Sequence, residues 1–245
     1  MPIVRVNDID MYYEIHGEGE PLVLIAGLNS DHKLYRSILP RLAANYQVIV
    51  FDNRGVGQSS KPDIPYSIEM MADDTAGLLD ALDSAGAHIL GTSMGGRIAA
   101  ALALQHPRHV KSLILVSTVM TMKGVPRTLS RRLLPLILRI PAIRGSHPYY
   151  VFARQLKASR AFDCMDRLGE IQVPTLILHG KDDKSAPYNL VEAMHRGIKD
   201  SEMITFDGGH LFFLMRPQQF MAAIEDFLNS LKLHVDKSET SPPHQ

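Results

Sequence analysis

Four short apolar runs limit what this chain can fold into more than any other feature. They are LVLIA (22–26), VIVF (48–51), LILV (113–116) and TLILH (175–179). Each is too short for a buried helix. None alternates apolar with polar residues, as a strand with one wetted face must. Strands of this kind need cover on both faces, which is the condition inside a parallel sheet sandwiched by helices. Stretches with helical spacing separate the runs, so strand and helix alternate along the chain. This order predicts an α/β fold with a mostly parallel central sheet of about eight strands and helices on both faces. With 245 residues, 45% of them hydrophobic, there is material for one large core. Residues 1–234 are read as one domain without internal repeats.

The other elements follow from local signals. "VRV" and "MYYEI" flank the turn "NDID" and read as two opening antiparallel strands. Residues 35–46 have helical spacing marred by Pro40. Residues 67–86 read as an amphipathic helix, with Ser67 as N-cap and Gly86 just past its end. Further on come a helix around 189–198, a strand at 202–206 and a helix over 217–233. The polar, proline-containing stretch 235–245 reads as a flexible tail. Between Val116 and Val173 the alternation lapses. Here an insertion at about 118–162 is expected to form a short helical cap over the top of the sheet, with helical pieces at 126–145 and 147–162. The first piece mixes arginines with leucines and isoleucines. That pattern also fits a helix lying on a membrane surface, but a helix covering the core is the favoured reading.

Charge and cysteine content narrow the function classes. Basic and acidic side chains number 26 each, so nothing points to nucleic acid as a partner. Cys164 is the single cysteine; no internal disulfide can form, and a reducing, cytoplasmic setting is expected. The N-terminus lacks the charged and apolar regions of a secretory signal, and no run is long enough to predict a membrane span.

The chemistry begins at "HILGTSMGGRIA" (88–99), where an apolar strand passes to a helix-forming run through Gly91-x-Ser93-x-Gly95. A residue at the tip of so sharp a turn sits in strained backbone, and its neighbours must be small. The helix that follows points its free N–H groups at the serine, which favours a developing oxyanion. The plain alternative is a serine that caps a helix. A serine hydroxyl needs a base to become a nucleophile. Of 11 histidines, His210 sits in the glycine-flanked loop "FDGGHLFFL" after the last strand; His179 and His32 also lie near strand ends but in less suitable loops. A histidine base needs a carboxylate to hold its tautomer. Asp182 and Asp183 both lie in "HGKDDKSAP", before His210, and either gives the order Ser, Asp, His.

Taken together, "MYYEIHGEGEPLVLIAGLNS", "VIVFDNRGVGQSS", "ILGTSMGGRIA", "VPTLILHGKDDKSAP" and "GGHLFFLMRPQQF" resemble the α/β-hydrolase fold superfamily, in its single-domain esterase, enol-lactonase and cofactor-free haloperoxidase-like branch. The resemblance implies a G-x-x-D-x-x-x-P pattern for the acid, which Gly180, Asp183 and Pro187 fit and Asp182 does not. It implies Met94 N–H as one oxyanion donor and Leu28 N–H as the other. The family usually has histidine before that glycine; here the place is taken by Ala26, which removes the usual hydrogen bonding that orders the loop. Asn29, Met120, Met122 and Leu211 are candidates for the substrate pocket, expected to be an apolar acyl- or ring-binding surface.

Two other motifs compete and lose. "RGVGQSS" (54–60) lacks the third glycine of a dinucleotide fingerprint, and Pro62 and Pro65 follow where a helix should start. "HGEGE" (16–20) has no second cluster of metal ligands. No cofactor and no metal are therefore expected. Relatives with an aspartate nucleophile are set aside by Ser93. The expected activity is a carboxylesterase-type serine hydrolase acting on a small-molecule ester or lactone through an acyl-enzyme. Perhydrolase (haloperoxidase-like) or C–C bond hydrolase chemistry on the same trio, and a hydrolase-like small-molecule sensor, are the alternatives.

Overall fold

In the computed structural model, residues 2–123, 125 and 147–239 are described. The expected helical piece at 126–145 and residues 240–245 of the expected tail lie outside them. Eight strands form one sheet: β1 (Ile3–Val6), β2 (Ile9–His16), β3 (Pro21–Ile25), β4 (Gln47–Phe51), β5 (Ala87–Thr92), β6 (Val110–Val116), β7 (Thr175–Gly180) and β8 (Ser201–Phe206). Their spatial order is β1-β2-β4-β3-β5-β6-β7-β8. The β1–β2 and β2–β4 pairs are antiparallel; all the others are parallel.

The doubly apolar runs are the central strands, and their alternation explains why both faces must be covered. Val23, Ile25, Ile49, Phe51, Ile89, Leu113, Leu115 and Ile177 enter one core. Leu22, Leu24, Val48, Val50, Leu90, Ile114, Val116, Leu176 and Leu178 enter the other. The first core is closed by α2 (Ile68–Ala81), α3 (Met94–Gln105), α4 (Tyr149–Ala161) and α5 (Tyr188–Gly197). The second is closed by α1 (Leu39–Leu42), α6 (Phe212–Met215) and α7 (Pro217–Glu239). The chain lays β4 on one side of β3 and β5 on the other. A crevice therefore opens at the carboxyl ends of β3 and β5, where open α/β sheets bind ligands.

Several boundaries differ from the sequence expectation. The helix expected over 35–46 is only the single turn α1, with Pro40 in its first turn, preceded by a 3-10 turn at His32–Tyr35. The helix α2 ends at Ala81, and Ser67 caps it by accepting from Met70 N–H at 3.0 Å. The last helix runs to Glu239, into the segment read as a tail. The second piece of the insertion is α4. Among the described residues no helix is long and apolar enough to cross a membrane.

The loop "RGVGQSS" has a structural task. Asp52 Oδ2 accepts from Gln58 N–H at 2.8 Å, and a Cβ on Gly57 would lie 1.9 Å from that oxygen. Arg54 leaves the same loop and is 1% exposed. It grips Asp74 of α2 through Nε at 2.5 Å and Nη2 at 2.7 Å, and reaches Asp8 at 2.9 Å. Removing one member of so buried a pair strands the other charge. Asp74→Ala is expected to lower the unfolding free energy by about 3–5 kcal/mol, read from urea denaturation. Arg54→Met/Asp74→Leu should recover much of that loss. A loss under about 1 kcal/mol for Asp74→Ala would show that the pair does not hold α2.

Candidate active site

Ser93 stands between β5 and α3 with φ 57° and ψ −114°. Few non-glycine residues adopt positive φ, and this conformation costs on the order of 1–3 kcal/mol unless the surroundings impose it. They do. A Cβ on Gly95 would lie 2.0 Å from the Ile25 carbonyl oxygen, so only glycine lets α3 start hard against the end of β3. Ser93 N–H donates to Val116 C=O at 2.8 Å, and Thr118 Oγ1 donates to Ser93 C=O at 2.7 Å. Held in this way, the side chain of Ser93 lines a cavity of about 310 Å³ above the sheet.

His210 and Asp183 reach Ser93 from the loops after β8 and β7. His210 Nε2 is 3.0 Å from Ser93 Oγ, and His210 Nδ1 is 2.7 Å from Asp183 Oδ2. Asp183 is buried, and its other oxygen accepts from Ser185 N–H at 2.6 Å and Ala186 N–H at 3.1 Å. The carboxylate is thus fixed by backbone donors on one side and faces the imidazole on the other. Ser117 Oγ donates to His210 C=O at 2.8 Å. Ser117 and Thr118, adjacent at the end of β6, therefore hold the backbones of His210 and Ser93 respectively. Ser117 also has positive φ, at 49°.

The other two histidines make no hydrogen bond to Ser93 or Asp183. His32 Nδ1 and backbone N–H both meet Asp52 Oδ1, at 2.7 and 2.9 Å. His179 is fully buried in β7, and burial pushes its ring below the usual histidine range. Asp182 is exposed, and its N–H donates to Gly208 C=O at 2.9 Å.

Met94 opens α3, so its N–H is one of the donors that a helix start leaves without an intrahelical partner. Leu28 lies in the loop after β3 and lines the same cavity as Ser93. With Ala26 in place of histidine, this loop is tied down by other means. Tyr35 OH donates to Ile25 C=O at 2.8 Å and pairs with the Thr92 hydroxyl, which can donate to it, at 3.0 Å. The His32–Asp52 pair anchors the far end. Gln155 of α4, fully buried, accepts from Asn29 N–H at 3.0 Å and donates to Arg54 C=O at 3.1 Å.

The pocket candidates divide. Met122 and Leu211 line the cavity. Met120 does not: it is fully buried in the core beneath, and its C=O accepts from Cys164 N–H at 3.2 Å. Asn29 does not line the cavity either; at φ 59° it forms the turn that Gln155 holds. Sequence reasoning missed Arg97, Leu156, Ser159 and Arg160, which do line it. For Arg97 the available signal was its position one helical turn beyond Ser93, on the same face.

Comparison with known proteins agrees with this geometry. The alpha/beta hydrolase fold family matches residues 20–139, and the serine hydrolase (FSH1) family matches residues 83–216. A relative from Azorhizobium caulinodans, named "Putative carbamate hydrolase RutD", is 32% identical over 94% of this chain and 99% of its own. Among solved structures, an esterase from Exiguobacterium antarcticum superposes with a TM-score of 0.84 at 26% identity, covering 93% of this chain and 98% of that one. An enol-lactonase from Burkholderia xenovorans gives 0.82 at 25% identity over 93% and 100%. The sheet order, the strand-to-helix turn at Ser93 and these matches together place the chain in the alpha/beta hydrolase fold family, and it is a hydrolase of the serine type.

Proposed function

We propose that the protein cleaves a carboxylic ester or lactone through an acyl-enzyme, with Ser93 as nucleophile, His210 as general base and Asp183 as the group that orients His210. The observation that carries this reading is the unbroken relay from Asp183 Oδ2 through the imidazole to Ser93 Oγ, with links of 2.7 and 3.0 Å. Asp183 favours the tautomer with the proton on Nδ1, which leaves Nε2 free to take the proton from Ser93 as Oγ attacks the carbonyl carbon. The oxyanion is received by Met94 N–H and Leu28 N–H. His210 then returns its proton to the leaving alkoxide. Water, deprotonated by the same nitrogen, releases the acid and restores Ser93.

The names of similar proteins widen the acyl classes such a serine could accept. A carbamate differs from an ester by a nitrogen on the carbonyl, and the same steps would cleave it. Perhydrolysis and C–C bond hydrolysis would also use this trio, and a sensor would acylate without cycling. A panel of p-nitrophenyl esters, lactones and carbamates, with and without hydrogen peroxide, separates these readings by sustained turnover.

Ser93→Ala is expected to lower kcat on short p-nitrophenyl esters by at least about 10³-fold while the fold persists. Full activity in that variant would remove Ser93 from the mechanism. Asp183→Asn should cost about 10²–10⁴-fold in kcat, because the amide no longer enforces the productive tautomer. Gln155 acts as a positioning residue for the loop that carries Leu28. Gln155→Leu is therefore expected to lower kcat by about tenfold or more with KM little changed. An unchanged kcat in a folded Gln155→Leu protein would show that the grip on Asn29 does not set the position of the Leu28 donor.

A further inference from the structure

We infer, resting on the serine-hydrolase reading above, that Ser117 is a positioning residue for His210. Its hold matters most once Ser93 has been acylated, when it keeps the imidazole aimed at the hydrolytic water. In the sheet, β6 lies between β5, which leads into Ser93, and β7 and β8, whose loops carry Asp183 and His210. β6 supplies no member of the relay, yet the residues at its carboxyl end bond to both sides. Val116 C=O accepts from Ser93 N–H at 2.8 Å, and Ser117 N–H donates to Leu178 C=O of β7 at 3.0 Å.

Ser117 is pinned at φ 49° and is 1% exposed. A non-glycine residue keeps such a backbone only where its surroundings impose it. From this position its Oγ donates to His210 C=O at 2.8 Å. His210 needs an outside hold. It follows Gly208, at φ 119°, and Gly209, two residues that leave the chain free to swing. Asp182 N–H donates to Gly208 C=O at 2.9 Å and Phe212 N–H to Gly209 C=O at 3.0 Å, which fastens the residues before His210. The bond to the carbonyl of His210 itself comes from Ser117.

The two halves of the reaction lean on that bond unequally. Before acylation, His210 meets Asp183 at Nδ1, Ser93 Oγ at Nε2 and Ser117 at C=O. Once the acyl group sits on Oγ, that oxygen has no proton to donate, and the contact at Nε2 is lost. Asp183 then holds one edge of the ring, and Ser117 holds the backbone from which the ring projects. In this state Nε2 takes a proton from water as the water oxygen bonds to the acyl carbon. The bond from that carbon to Oγ then breaks, and Nε2 gives the proton to Oγ. The base must keep its place here without the serine that guided it in the first half.

Ser117→Gly tests this, because glycine suits the positive φ and lacks the hydroxyl. Rapid mixing with p-nitrophenyl butyrate reads both halves: the burst of p-nitrophenolate reports acylation, and the decay of butyryl-enzyme by intact mass reports deacylation. The decay rate is expected to fall at least about tenfold and the burst rate less than about threefold, so kcat and KM drop together while kcat/KM holds. Ser117→Ala, which keeps the backbone strain, should show the same split. Equal slowing of both halves in a folded Ser117→Gly protein, or no slowing of either, overturns the assignment and leaves the serine-hydrolase reading standing. A split seen with alanine and not with glycine also overturns it, by tracing the effect to backbone strain. An intact protein that neither cleaves the ester nor is acylated at Ser93 overturns both.

Discussion

The site depends on the close approach of α3 to β3 at Gly95. Because no side chain stands there, the helix begins against the Ile25 carbonyl and the chain must turn within one residue, which is Ser93. The strained φ of Ser93 follows from that contact and is kept in place by hydrogen bonds from Ser93 N–H to Val116 and from Thr118 to the Ser93 carbonyl. Three consequences follow. The hydroxyl projects into the crevice, α3 begins immediately after it at Met94, and the loop after β3 is brought beside both. Sheet order adds the rest: β7 and β8 deliver Asp183 and His210 from loops 27 residues apart in sequence. The strain is local, and the two apolar cores on either side of the sheet resist its relief.

The cap helix α4 is part of the site and not merely its cover. Gln155 and Ser159 lie four residues apart, on one face of the helix. Gln155 takes the N–H of Asn29, next to Leu28, while Ser159 takes Arg97, one turn from Ser93. One helix therefore grips both the loop that carries Leu28 and the helix that begins at Met94. In the proposed mechanism this fixes the oxyanion hole without the histidine that resembling proteins carry where this chain has Ala26.

Much of this was legible in the sequence, for reasons that are local. The central strands announced themselves because a strand buried on both faces must be apolar throughout. Ser93 was visible because its turn needs small neighbours at fixed spacing, whereas Asp183 was told from Asp182 only by the resemblance, whose pattern Gly180 and Pro187 complete. The undetected features depend on long-range packing. Gln155 contacts residues 126 and 101 positions away, and nothing around it marks a buried glutamine. Met120 and Met122 look alike in sequence, yet the chain after β6 turns one into the core and the other into the cavity. The short α1 shows propensity giving way to context: the spacing over 35–46 was helical, but Tyr35 and His32 are drawn into hydrogen bonds that hold the loop after β3.

The central claim is that Ser93 is an activated nucleophile. Reaction with a fluorophosphonate, followed by intact-mass measurement and peptide mapping, tests it most directly, since only a serine with a working base reacts rapidly. The account predicts one adduct per chain, on the peptide containing Ser93, and its loss in His210→Ala. An intact protein that gains no adduct, or carries it on another serine, would contradict the account.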